Sequence, residues 1–139
     1  MRTRTRIATA VAATAVLTVA FTGQASAAEG TASCSTTGAR GSMGANYPSG
    51  DNWMYDEFKI SLSVSDTSAD GHHVRVRLLT KAVGTDAVTT WKWHSLTSGS
   101  GNTLTLSTTA QTSNGIWATG VEVARFEGDT KLNSCRDWS

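Results

Sequence analysis

The chain has 139 residues, a formal net charge of +1, 17% charged residues and a single proline. That length corresponds to one domain, and the near-neutral charge excludes the strongly basic balance of a nucleic-acid-binding protein. Sparse Leu, Glu, Lys, Gln and Met against frequent Thr, Ser, Val, Gly and Trp exclude a helical bundle and mark a β protein.

The first element in chain order is a secretory leader, predicted over residues 1–27. Met1 to Arg6 carries three arginines and no acid, Ile7 to Phe21 is small and apolar apart from threonines, and Ala25-Ser26-Ala27 supplies an A-x-A cleavage site. The apolar run is shorter than the roughly 20 residues a membrane-spanning helix needs, and nothing comparable follows, so no membrane span is expected. Taking 27 from 139 leaves 112 residues beginning at Ala28. Three of the 12 basic residues leave with the leader, so 9 face 11 acids and the net charge becomes −2. The expected product is secreted and extracellular, with no nucleic-acid partner.

In that mature chain, Thr31 to Thr37 reads as a short edge strand. Gly38 to Asp56 has no period and holds Pro48, and structureless stretches of this length in a compact domain are usually functional or disordered. Met43, Tyr47, Trp53, Met54 and Tyr55 are too many large apolar groups for a disordered linker, so the segment rests either on its own core or on a partner. Residues 28–56 are accordingly predicted as an irregular N-terminal segment ahead of a body at 57–139. Phe58, Ile60, Leu62 and Val64 share one face of a strand, as do Val74, Val76 and Leu78, and Asp70-Gly71 between them predicts a hairpin. Val88 to Leu96 is predicted as one strand with Trp91 and Trp93 on the same face. Asn102 to Thr109 aligns Leu104 with Leu106, after a flexible Ser98 to Gly101 connection. Ile116 to Phe126 changes parity near Gly120, which predicts a bulge there. Thr130 to Cys135 closes the set as a second edge strand.

These short strands predict an all-β fold, a single antiparallel β-sandwich. An immunoglobulin-like arrangement is compatible with them, although the cysteines lie at the chain ends and not on central strands around a tryptophan. An even cysteine count in an exported chain predicts a Cys34–Cys135 disulfide tying the two ends together.

His72 and His73 adjoin the Asp70-Gly71 turn and His94 lies opposite the tryptophans, with the cysteines already committed, so no zinc set converges. Asp51, Asp56 and Glu57 fit no defined calcium loop. No G-x-S-x-G elbow or phosphate loop is present. No catalytic activity, cofactor or metal is expected.

Recognition is the better lead, since five tryptophans are many for this length and tryptophan serves both as core filler and as binding anchor. Trp91 and Trp93 are either sheet core or an exposed pair about 7 Å apart that could stack on a sugar. Trp117 is equally open, and Trp138 follows Cys135 closely enough to cover the disulfide. Trp53, Met54 and Tyr55, with Tyr47, form the candidate interaction cluster. Arg40 and Met43, in a glycine-rich stretch close to Cys34, are candidates for display to a partner or to a protease.

The leader, Met1-Arg2-Thr3-Arg4-Thr5-Arg6 followed by an Ala/Thr/Val run, resembles those of exported proteins from high-GC Gram-positive bacteria. The mature profile, an irregular Gly/Ser-rich segment over Ala28 to Ser49 ahead of an all-β body from Phe58 to Cys135, resembles the small adaptor subunits of secreted umbrella toxin particles. That resemblance implies a non-enzymatic adaptor whose sandwich holds a repeat-containing toxin subunit. Its N-terminal segment, including Arg40, would insert into a lectin subunit with a protease-like domain. The alternatives are a secreted protease inhibitor presenting Arg40 or Met43, and a carbohydrate-binding module using exposed tryptophans.

Overall fold

The computed structural model describes residues 29–139; the leader expected over 1–27 lies outside the described residues. Nine strands run in chain order: β1 Glu29–Thr36, β2 Ala39–Asn46, β3 Phe58–Asp66, β4 His73–Lys81, β5 Val88–Thr90, β6 His94–Leu96, β7 Thr103–Ala110, β8 Ala118–Glu127 and β9 Thr130–Trp138. The one helical piece among the described residues is a 3₁₀ turn at Trp53–Tyr55. The first sheet has the order β1-β2-β3-β7, and the second the order β5-β4-β8-β9, with β6 also paired to β4. All pairings are antiparallel, and the two sheets pack as a sandwich. Three consecutive strands form a meander in the first sheet, whereas an immunoglobulin domain places A, B, E and D together.

The period-two pattern builds the core directly. Phe58, Ile60, Leu62 and Val64 of β3 and Met43 and Ala45 of β2 face Val74, Val76 and Leu78 of β4 and Val121 and Val123 of β8. Leu104 and Leu106 of β7 are half-buried at one margin of this cluster, and Cys34 and Cys135 at the other. The disulfide joins β1 to β9 across the sandwich, with the two Cα atoms 5.9 Å apart. Beside it, the Ser33 amide donates to Asp137 Oδ2 at 2.8 Å and Thr36 Oγ1 to Asn133 Oδ1 at 3.2 Å.

Several expectations are corrected. Residues 29–46 are not irregular: they form β1 and β2, and β2 is a central strand, paired to β1 through Ala39 to Asn46 and to β3 over the same residues. The turn between them uses Gly38 at φ +80°, which only glycine adopts without strain. β3 and β4 do not form a hairpin. They lie in different sheets, and the Asp70-Gly71 turn arches from one sheet to the other, with the His72 amide donating to Asp70 Oδ1 at 3.1 Å. The strand predicted over Val88 to Leu96 is broken at residues 91–93 into β5 and β6, which pair with opposite ends of β4. Gly120 is not bulged; it pairs in register with Leu79 and Trp138, and the irregularity falls at Arg125/Phe126. A Cβ on Gly120 would lie 2.7 Å from Trp138 Cε3, so the glycine is there to let the indole lie flat on the sheet. Trp138 therefore covers Gly120 on the outer face and not the disulfide.

No helix among the described residues is long and apolar enough to cross a membrane.

Candidate functional site

The chemistry collects on the outer face of the second sheet. Alternation along β4 turns Val74, Val76 and Leu78 inward and His73, Arg75, Arg77 and Lys81 outward. On β8 the same rule sends Glu122 and Phe126 outward, and on β9 it does so for Lys131, Arg136 and Trp138, which are their cross-strand partners or lie beside them. The register thus sets Arg77, Glu122 and Arg136 in one row across three strands.

Glu122 is fully covered within this row. Its Oε2 accepts from Arg77 Nε at 2.8 Å, Arg77 Nη2 at 2.6 Å and Arg136 Nη2 at 3.1 Å, while Oε1 accepts from Lys131 Nζ at 3.0 Å. Burial pushes its carboxyl up, but the hydrogen bonds from Lys131 and Arg77 and the charges of Arg77 and Arg136 outweigh that and hold it below the usual carboxylate range.

Around this anchor, cations and aromatic rings alternate. The Arg75 guanidinium sits 4.1 Å from the Phe126 ring centre and that of Arg77 4.2 Å from Trp93. Trp93 meets Phe126 edge-on at 5.3 Å, and His73 stacks on Phe126 at 5.9 Å. Lys81 lies between Trp117 and Trp138, at 5.4 and 5.0 Å from their ring centres. Five cations on this face meet three carboxylates, Glu122, Asp129 and Asp86, leaving an excess of two positive charges. Trp117 stays 44% exposed, oriented by its Nε1–H donating to the Thr85 carbonyl at 3.0 Å.

His73 gives this face a pH response. Burial, then the charge of Arg75, pushes its imidazole below the ordinary value of about 6.5, and Nε2 accepts from Arg75 Nε at 3.0 Å, which only an unprotonated nitrogen can do. Burial and Lys92 lower His94 in the same way. A depressed histidine contributes stability that is present above pH 6.5 and lost as pH falls through its folded value, because the unfolded chain takes the proton first. Thermal melts between pH 7 and 5 should therefore show the melting temperature falling with pH. In His73→Gln, which keeps an acceptor for Arg75, the fall should be shallower.

The residues singled out in the sequence do not converge. Arg40 is exposed on the outer face of the first sheet, between Ser35 and Ser65, the second residue of β2 and paired on both sides, so it is not on a projecting loop. Met43, one register position from the adjacent face, is 2% exposed and belongs to the core, which removes it from display. Tyr47 and Trp53 do come together, stacked at 5.7 Å, and both pack on Phe58 to close one end of the core. The Tyr47 hydroxyl is 2.8 Å from Ser139 Oγ. Met54 is half-buried and its carbonyl accepts from the Ile116 amide at 2.6 Å; Tyr55, 46% exposed, is the one large side chain of this turn left open. The segment thus rests on its own core. Trp91 and Trp93 face opposite ways: Trp91 packs on the core and donates from Nε1 to Thr80 Oγ1 at 3.1 Å, while Trp93 is on the outer face, so they form no paired platform. Phe126 and Lys81 carried no functional expectation, and Glu122, which could be considered only as one of several acids for a catalytic carboxylate pair, is instead the centre of an ion cluster; the signal was a lone acid between Val121 and Val123, opposite outward arginines.

On the other side of the molecule, Gly44 leaves a depression bordered by Asn46, Lys59, Ser61 and Ser107. It carries no aromatic ring. Among the described residues no group of three or more His, Cys, Asp or Glu is placed to hold a metal ion.

No protein-family model matches the chain, and no curated protein or solved structure matches it either.

Proposed function

We propose that this protein is a secreted, non-enzymatic interaction module, an adaptor that links subunits of an extracellular antibacterial toxin complex. The observation that carries the reading as an interaction module is the outer face of the second sheet, where Trp93, Trp117, Trp138 and Phe126 are interleaved with Arg75, Arg77 and Lys81. Tryptophan and arginine are the residues that anchor protein interfaces, and here they are held rigid by cation–π contacts and a buried carboxylate, so little side-chain entropy is lost on docking. The leader, the terminal staple and the resemblance to umbrella-particle adaptors support the extracellular toxin setting. The partner's complementary surface is expected to be acidic, in keeping with the positive excess of this face.

Co-purification of the tagged full chain from culture supernatant tests this. The wild-type chain should bring down a second protein. A Trp117→Ala variant, truncating a side chain that is open to solvent and outside the Glu122 ion cluster, should lose it while melting close to the wild-type temperature. An Arg40→Ala/Lys59→Ala variant on the opposite face should retain it. Recovery with no other protein bound, or equal loss from both variants, would count against the proposal.

A further inference from the structure

The sandwich has an edge at each margin of each sheet, and three of the four are blocked. β1 is tied to β9 by the disulfide, and its Ser33 amide is taken by the Asp137 carboxylate. β9 carries Lys131, Arg136 and Asp137, and charged side chains of this kind discourage strand addition. The β5/β6 edge is cut into two three-residue pieces. β7 has none of these devices. It is eight residues long, pairs with β3 in unbroken register, and contains no charge, proline or glycine. Nothing in the backbone bonding of the loops reaches its outer side, so alternate amides and carbonyls along it are unpaired with other backbone.

The sequence of this edge also says what fits it. Thr103-Leu104-Thr105-Leu106-Ser107 reads the same in both directions by side-chain type. We infer that β7 is a self-association edge, pairing antiparallel with β7 of a second copy about a two-fold axis at Thr105 and joining two four-stranded sheets into one of eight. In that register Leu104 faces the second copy's Leu106 and Thr103 its Ser107, so leucine meets leucine on the inner face and hydroxyl meets hydroxyl outside. The existing β3–β7 pairing has the same character, with Val64 opposite Leu104, Leu62 opposite Leu106 and Ser63 opposite Thr105. A two-fold interface requires this kind of self-complementarity. Leu104 and Leu106, half-buried in the single chain, gain further cover from the added strand. The edge belongs to the first sheet and the aromatic side chains to the outer face of the second, so pairing through it leaves that face open.

Analytical ultracentrifugation of the pure chain, from micromolar to near-millimolar concentration, should show a reversible dimer. Thr105 is exposed and points away from the core, so Thr105→Lys should fold normally, as judged by circular dichroism. It places two ammonium groups opposite each other across the axis and should weaken the dimer about tenfold or more. As a second measurement, Thr105→Cys should cross-link to itself under mild oxidation, because directly opposed strand residues lie within disulfide reach. Thr109→Cys, far from the axis, should not. A chain that remains monomeric throughout, a dimer indifferent to Thr105→Lys, or cross-linking at position 109 in preference to 105 overturns the inference. So does a monomer that instead takes up an unrelated strand-forming peptide at this edge.

Discussion

Replacing Cys34 and Cys135 together by serine is expected to destabilise the fold by about 4 kcal/mol. The bridge closes a loop of sequence separation 101, and for that length the chain-entropy relation gives roughly 4 to 5 kcal/mol through restriction of the unfolded state. A domain of this size has a total stability of about 5–15 kcal/mol, so the loss is a large fraction of the whole. The native geometry itself survives the change. β1 keeps its full register with β2 and β9 with β8, and the Ser33–Asp137 and Thr36–Asn133 hydrogen bonds still span the gap. The variant should therefore give a native-like spectrum but unfold at a much lower urea concentration, with a steeper dependence on urea because its unfolded chain is no longer looped. A loss below about 1 kcal/mol would mean that sheet pairing alone fixes the two ends.

How far the sequence discloses this molecule follows from what each pattern encodes. The inward faces of β3 and β4 were legible because large branched residues recur there every second position, which is all a half-buried strand needs. Their partners were not. An Asp-Gly turn encodes a local reversal of the chain, and here that reversal carries it between sheets, where β3 and β4 pack face to face. β2 was missed because three of its four inward residues are small: Ala39, Gly41 and Ala45 leave Met43 alone to give hydropathy contrast, and glycine is a poor strand former. The structure supplies the reason for their size, since a Cβ on Gly41 would lie 2.7 Å from Val123 Cγ2 on the facing sheet. Tertiary approach overrode propensity at that position. The disulfide was legible from cysteine count and compartment. The aromatic face was only half legible, since an inward Val74, Val76 and Leu78 leave Arg75 and Arg77 on the other side of β4, but the acid on β8 becomes the neighbour of Arg77 only once the register is known.

Glu122 is the second residue whose loss should be felt throughout the molecule. Glu122→Gln keeps the shape of the side chain and removes its charge, leaving Arg77, Lys131 and Arg136 gathered around a neutral amide. Removing one partner of a buried ionic cluster typically costs about 3 to 5 kcal/mol. The lower end, about 3 kcal/mol, applies here, because the Lys131 and Arg136 side chains are 40% and 46% exposed and can turn back to water. The same exposure ranks the partners: Arg136→Ala should cost about 1 kcal/mol or less, and Arg77→Ala, which removes the two shortest hydrogen bonds, considerably more. The pH dependence has a definite sign. The folded carboxyl is held below its unfolded value, so its contribution is present above about pH 4.5, where the unfolded group is ionised, and is lost as pH falls through the folded value. Urea titrations at pH 7 and at successive steps below 4.5 should show the wild type losing stability on acidification and Glu122→Gln, already destabilised, losing less. Equal urea midpoints at pH 7 would sink the idea. Arg77 lies under Trp93 while bound to Glu122, so the substitution should also shift the tryptophan emission and weaken capture of an acidic partner by this face, a paired effect that a purely structural loss in the core would not produce.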